Sequence, residues 1–112
     1  MQRWVVVGDA LNEKKPAYRI AQKLRASGKD VAVVNPRENR GRCEVSLLAL
    51  EGPVDVVDLV ISPSLGPSII AEMKGLGIQN VFIQPGACSQ EVLELCAEAG
   101  ISVHQGCVLV EL

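Results

Sequence analysis

The loop after the first strand-like run combines a glycine with two lysines, a pairing that could bind an anion. Gly8 follows the apolar run Trp4–Val7, and Lys14 and Lys15 come just before a predicted helix. Backbone N–H groups at such a strand–helix junction can bind a phosphate, and the lysines would add positive charge. The loop has neither the G-x-G-x-x-G nor the Walker pattern, and Asp9 carries a charge that opposes direct phosphate contact. An anion site and an ordinary turn with solvated lysines therefore both remain open.

The end of the second strand-like run is basic. Asn35-Pro36-Arg37 follows the run Val31–Val34, with Arg40 and Arg42 close behind. Dinucleotide-binding domains of the NAD type place an acidic residue here to hold the ribose hydroxyls, whereas a basic residue suits a phosphorylated ribose. These residues favour a 3′- or 2′-phosphoadenosine group over NAD, with a solvated basic loop as the alternative.

Two further apolar runs are followed by polar or turn-forming residues. Ser62-Pro63 follows one apolar run and Gln84-Pro85-Gly86 follows the next. Proline has no backbone N–H to donate, so both prolines end their strands. The Gln84 amide can donate and accept a hydrogen bond towards a ligand. The alternative is that Gln84 is simply a polar residue at the end of a strand.

Cys88, His104 and Cys107 are the residues that could form a thiol or metal site. Cys88 lies just before a predicted helix, and His104 and Cys107 are three residues apart near the end of the chain. Their spacing matches no standard set of metal ligands. Unpaired cysteines are usually small buried hydrophobic residues, so the structural role is favoured and Cys96, on an apolar helix face, is assigned to the core.

The elements that must position these residues alternate between strand and helix. Apolar runs that end in turn residues are followed by helical patterns, which is typical of a parallel sheet with crossover helices. We expect an α/β, Rossmann-like three-layer fold with a mostly parallel sheet in the order of about 3-2-1-4-5-6. In such a sheet, ligands bind at the carboxyl ends of the strands.

Several boundaries follow from turn and capping residues. The first helix is predicted from Pro16 to Ala26, the next from Ser64 or Pro67 to Leu76, and a third from the N-cap Ser89 to Ala99. Cys43–Val45 is expected to form a short third strand at an edge. Asp55 and Asp58 are expected to mark the entry of the strand that ends at Ile61, and Ile101–His104 is predicted as a further strand. Val108–Val110 is expected to extend the sheet or to pack along it.

Length and composition set the class of protein. The chain has 112 residues with 48% hydrophobic and 21% charged residues, which predicts one globular domain over residues 1–112. The net charge of -2 gives no general attraction for nucleic acid or an anionic membrane. No apolar run approaches the about 20 residues of a membrane span, and no signal peptide is visible, so we expect reduced cysteines and a cytoplasmic protein.

No catalytic constellation is visible. The chain has one histidine, no nucleophile elbow and no acid–base pair at the strand ends apart from Asp9. A catalyst would need a base, an acid and a substrate site on a very small scaffold. A non-catalytic binding module is therefore the simpler interpretation, and catalytic and metal residues are assigned as none.

Short motifs along nearly the whole chain, from Trp4 to Glu111, resemble the CoA-binding domain family. Those that carry the resemblance are Val7-Gly8, Lys15-Pro16-Ala17-Tyr18, Val34-Asn35-Pro36, Ser46-Leu47, Val54-Asp55-Val56-Val57-Asp58, Ile83-Gln84-Pro85-Gly86-Ala87, Ala99-Gly100-Ile101 and Cys107. Each motif is weak alone, and their order and spacing together make the match. The family is similar to the N-terminal nucleotide-binding part of the succinyl-CoA synthetase α subunit.

The resemblance implies that CoA or an acyl-CoA binds across the strand ends. Its phosphate-side loop would comprise Gly8, Asp9, Ala10 and Asn12, with Lys15 and Tyr18 at the adjoining helix start. The adenosine and its phosphate would meet Asn35, Pro36 and Arg37. The pantetheine arm would be lined by Ser62 and Pro63, with Gln84, Pro85 and Gly86 opposite.

Three positions depart from the family pattern. Asp9-Ala10 stands where the family commonly has a small residue and serine, Ser62 stands where it often has arginine, and Gln105-Gly106 replaces an acidic–basic pair. The first two departures remove favourable interactions with anionic groups. Alternatives that stay open are an NADP-binding oxidoreductase module, the thiol or metal protein described above, and a scaffold for a protein partner or a second copy.

Overall fold

The central element is a five-stranded sheet in which every neighbouring pair of strands is parallel. The computed structural model describes residues 1–112. The strands run in the order β2-β1-β3-β4-β5. Their bounds are β1 Arg3–Gly8, β2 Asp30–Val34, β3 Val56–Val60, β4 Asn80–Ile83 and β5 Ser102–Gln105. The predicted α/β, Rossmann-like fold is confirmed.

Four helices connect or follow these strands: α1 Pro16–Ala26, α2 Gly66–Leu76, α3 Gln90–Ala99 and α4 Val108–Glu111. Pro16 occupies the first turn of α1, where a missing N–H costs no hydrogen bond. The Ser89 hydroxyl accepts the Val92 N–H at 3.1 Å and caps α3, as predicted. Gly77 and Gly100 end α2 and α3 with φ angles of 73° and 71°, in the left-handed region that favours glycine.

Alternating strand residues bury two separate cores. One core lies between the sheet and α2 with α3, and Val5 and Val7 of β1 point into it. The other lies between the sheet and α1 with α4, and Trp4 and Val6 point into it. The continuous apolar run of β1 is therefore explained by a strand that is covered on both faces.

Several boundaries differ from the sequence prediction, including β3, which ends at Val60 and not at Ile61, and α2, which begins at Gly66. The expected strand Cys43–Val45 is reduced to one bridge between Val34 and Glu44, so the observed order is the predicted one without its short third strand. The last strand is Ser102–Gln105, one residue later than predicted. Residues Val108–Glu111 form α4, which packs along the sheet through Val108 and does not extend it. The Gln84 side-chain oxygen accepts the Val108 N–H, and Glu111 accepts the N–H of the N-cap Cys107.

Asp58 lies in the middle of β3 instead of marking its entry. Its partners across the sheet are Val6 of β1 and Phe82 of β4, which both face the core beneath α1 and α4. The side chain is fully buried, and neither carboxylate oxygen has a hydrogen-bond partner. This burial raises the pKa of Asp58 to about 8, because the apolar surroundings penalise the charged form.

Candidate functional site

A groove with a volume of about 600 Å³ crosses the carboxyl ends of the strands. Residues that come just after each strand line it: Asp9 after β1, Asn35 after β2, Ser62 after β3, Gln84 after β4 and Cys107 after β5. The groove therefore lies where ligands bind in open parallel sheets.

One end of the groove, beside β2 and the start of α1, is positively charged. Lys15 and Arg37 line this end, and both are exposed to solvent. The Asn35 side-chain oxygen accepts the backbone N–H of Arg37 at 3.0 Å and fixes the turn that carries the arginine. Lys15 precedes Pro16 at the first turn of α1, where the unpaired Ala17 N–H adds positive potential. We call Lys15, Asn35 and Arg37 the cationic end of the groove.

A second arginine at the cationic end is already paired. Arg42 binds the Glu38 carboxylate with two side-chain bonds, both of 2.9 Å, and with its backbone N–H at 2.7 Å. These hydrogen bonds from Arg42 lower the pKa of Glu38 to about 2. The Glu38 side chain is 2% exposed against 45% for Arg42, so the carboxylate is covered and the guanidinium remains accessible.

The β1–α1 loop is held close to the sheet. A Cβ at Gly8 would lie 2.5 Å from the carbonyl oxygen of Val60, so this position admits only glycine without a shift of β3. The Asn12 side-chain oxygen accepts the backbone N–H of Lys14 at 3.0 Å, and its amide points to Asp9 at 3.5 Å. Ala10 is buried against the core below α1. The loop thus places the Asp9 side chain in the groove.

The other end of the groove, beside β4 and β5, carries no charged side chain. We call Ser62, Gln84, Pro85, Cys107 and Leu109 the neutral end. Gln84 is only 4% exposed, and its oxygen accepts the Val108 N–H at 2.9 Å. Its amide nitrogen has no hydrogen-bond partner in the protein and is not among the fully buried unpaired atoms, so it is a donor that faces the groove.

The structure brings eight of the residues proposed from sequence to the groove: Asp9, Lys15, Asn35, Arg37, Ser62, Gln84, Pro85 and Gly86. Six others do not line it: Gly8, Ala10, Asn12, Tyr18, Pro36 and Pro63. Among these six, Gly8 and Ala10 are buried, and Asn12 lines a shallower neighbouring depression with Lys14 and Arg40.

Sequence reasoning did not assign Glu38, Cys107 and Leu109 to the ligand site, although all three line the groove. Glu38 and Arg42 lie in a loop outside any helix, so their four-residue spacing did not predict their ion pair. Cys107 and Leu109 enter the groove because α4 folds back after β5, which no local pattern indicated.

The residues of the possible metal site are held by different contacts, although the Glu111 carboxylate contacts both His104 and the Cys107 N–H. The Cys88 thiol donates to the Gln105 side-chain oxygen at 3.4 Å, while the His104 ring packs at a tilt of 41° against Phe82 and contacts Glu111 at 2.6 Å. No three side chains among His, Cys, Asp and Glu come together as a metal site.

A smaller groove of about 390 Å³ lies at the opposite, amino ends of the strands, lined by Gln2, Asp55, Asn80 and His104 among others.

None of the helices combines the length and the apolar composition that crossing a membrane requires.

Comparison with known proteins places the chain in a family. The sequence profile of the CoA binding domain matches residues 2–112. A conserved hypothetical protein from Pyrococcus furiosus is 30% identical, with a TM-score of 0.86 and full coverage of both chains. A Thermus thermophilus protein is 31% identical, with a TM-score of 0.84, and the match covers 98% of this chain and 87% of the other.

A larger protein shares the fold. The dinucleotide-forming acetyl-coenzyme A synthetase 1 of Ca. Korarchaeum cryptofilum is 19% identical with a TM-score of 0.73, over 91% of this chain and 25% of the synthetase. Among curated proteins, none matches the chain at a significant level. The profile match and the like folds together establish that this chain belongs to the CoA-binding domain family.

Proposed function

We propose that this protein binds CoA or an acyl-CoA in the groove at the carboxyl ends of its strands, without catalysing a reaction. The observation that carries the proposal is the polarity of the groove, cationic beside β2 and neutral beside β4 and β5. CoA has the same polarity, with phosphates on the nucleotide and an uncharged pantetheine arm. Membership of the CoA-binding domain family supports the same ligand.

The phosphates would lie at the cationic end. Arg37 is exposed, has no carboxylate partner and can make a charge-assisted hydrogen bond with the 3′-phosphate. Lys15 and the unpaired N–H of Ala17 in the first turn of α1 would attract the pyrophosphate, since a free helix N–H favours anions. Asp9 lies in the same groove and opposes these contacts by like-charge repulsion, which predicts a modest affinity.

The pantetheine arm would lie at the neutral end. Its two amides need hydrogen-bond partners, and the unpaired amide nitrogen of Gln84 can donate to one carbonyl oxygen. Leu109 and Pro85 offer apolar surface to the methylene groups of the arm. The groove would thereby orient the ligand thiol.

The test is a calorimetric titration of the purified protein with CoA, dephospho-CoA and NADP. We expect CoA to bind most tightly, and Arg37→Gln to weaken CoA binding by about three- to tenfold while changing dephospho-CoA binding little. Arg25→Gln is the matched control, because Arg25 is exposed near the end of α1 and does not line the groove. Equal affinity for CoA and dephospho-CoA would refute the role of Arg37. Tighter binding of NADP would replace the proposal with a nicotinamide-cofactor module.

A further inference from the structure

Of the four cysteines, Cys107 is the one that lines the groove at the carboxyl ends of the strands. Cys96 is buried in the core, and the Cys88 thiol is hydrogen-bonded to Gln105. Burial raises the pKa of the Cys43 and Cys96 thiols, which lowers the share of the reactive thiolate. Cys107 is half-buried, and its sulfur has no hydrogen-bond partner in the protein.

The strand order places Cys107 at the opposite end of the groove from the phosphate-binding residues. Strand β2, which leads to Arg37, and strand β5, which leads to Cys107, are the two edges of the sheet. These two edge strands are four strand spacings, or about 19 Å, apart. A ligand with its phosphates at Arg37 and an extended arm across the rim therefore directs the end of that arm towards β5. In CoA that end is the thiol.

The backbone around Cys107 is fixed by side-chain contacts. The Glu111 carboxylate accepts the Cys107 N–H at 3.0 Å, and Gln84 accepts the next N–H, from Val108, at 2.9 Å. The same Gln84 side chain, nine-tenths buried, presents its unpaired amide nitrogen to the groove. This donor is available to a hydrogen-bond acceptor of a ligand that lies beside Cys107. The cysteine and the expected arm thus share one end of the groove.

We propose that Cys107 undergoes thiol–disulfide exchange with a disulfide of CoA bound in the groove, an inference that rests on the proposed function. The Cys107 thiolate attacks the sulfur of the bound CoA moiety, a new protein–CoA disulfide bond forms, and the original disulfide bond breaks. The leaving thiolate, a second CoA when the reagent is the symmetrical CoA disulfide, departs and takes up a proton. One disulfide is consumed and one is made, so no other oxidant takes part. The product is a protein with CoA attached at Cys107.

The experiment follows exchange by intact-protein mass spectrometry at mildly alkaline pH, where thiolates attack. The reduced full-length protein is mixed with CoA disulfide or with glutathione disulfide, and digestion locates the modified cysteine. Modification by CoA adds the mass of one CoA less two hydrogen atoms. A bound disulfide acts at a millimolar effective concentration, so at about 0.1 mM reagent we expect CoA disulfide to modify Cys107 about tenfold faster than glutathione disulfide.

Two variants and one competitor make the result specific. Cys107→Ser should abolish the fast modification, whereas Cys88→Ser, at a half-buried cysteine outside the groove, should retain it. A CoA analogue without the thiol should slow the reaction by competing for the groove. Equal rates with the two disulfides, or fast modification at Cys88, would overturn the inference.

A titration of the same reduced wild-type protein with CoA separates the two proposals. Measurable CoA binding without selective exchange at Cys107 would overturn this inference and leave the proposed function standing. No CoA binding and no selective exchange would overturn both.

Discussion

Replacing Asp58 with Asn should remove most of the pH dependence of folding stability between about pH 4 and about pH 8. Asp58 is fully buried in β3 without a hydrogen-bond partner, and burial raises its pKa to about 8. The unfolded chain has a pKa of about 3.9 at this residue. Between these two values the folded protein holds a proton that the unfolded chain releases.

The sign and size of the effect follow from this difference in bound protons. Because the folded state binds more protons, the free energy of unfolding falls as the pH rises, by about 1.4 kcal/mol per pH unit. The contribution of Asp58 is therefore fully present below about pH 4 and is lost as the pH rises to about 8. At about pH 7 the loss amounts to about 4 kcal/mol, a large part of the stability of a small domain.

Urea denaturation at a series of pH values measures this slope. The wild-type free energy of unfolding should fall by about 3 kcal/mol from about pH 5 to about pH 7, and Asp58→Asn should flatten the curve. Asp30→Asn, at an exposed residue of β2, should keep the wild-type slope. Glu38, whose pKa is lowered to about 2, acts with the opposite sign and below this window. A wild-type slope near zero, or the same slope in Asp58→Asn, would refute the burial of an unpaired carboxyl.

Two further predictions concern the groove and its supporting loop. Gly8→Ala should destabilise the fold by about 1–3 kcal/mol, because the added Cβ would lie 2.5 Å from the Val60 carbonyl oxygen. Gly75→Ala, in α2 with nothing within 4 Å of the added carbon, should instead stabilise it by up to about 1 kcal/mol in thermal denaturation. If Gly8→Ala is as stable as the wild type, the close approach is wrong. Glu38→Gln should raise CoA affinity about two- to fivefold in a titration, because it removes the carboxylate paired with Arg42, and unchanged or weaker binding would contradict this.

The fold and much of the groove could be predicted from the sequence because their signals are local. The apolar run of β1, the proline at the start of α1 and the Ser89 cap of α3 act through neighbouring residues. Parallel strands also bring their carboxyl ends to one edge, so the residues that follow the strands had to meet there. Arg37 and Gln84 were found by this argument.

The parts that the sequence did not predict depend on contacts between distant residues. Asp58 looked like a polar interruption at a strand entry, and only the cover of α1 and α4 buries it. Val108–Val110 was expected to extend the sheet or to pack along it; Gln84 and Glu111 accept the Val108 and Cys107 N–H groups, and the segment packs as a helical turn. The helical turn α4 also brings Cys107 into the groove.

The most direct test of the account is an NMR titration of isotope-labelled protein with CoA, observed at the backbone amides. We expect chemical-shift changes at residues of the groove at the carboxyl ends of the strands, including Asp9, Arg37 and Gln84. We expect none at Gln2 and Asn80, which line the smaller groove at the amino ends. Chemical-shift changes confined to the amino ends, or none at millimolar CoA, would contradict the claim that the groove at the carboxyl ends of the strands binds CoA.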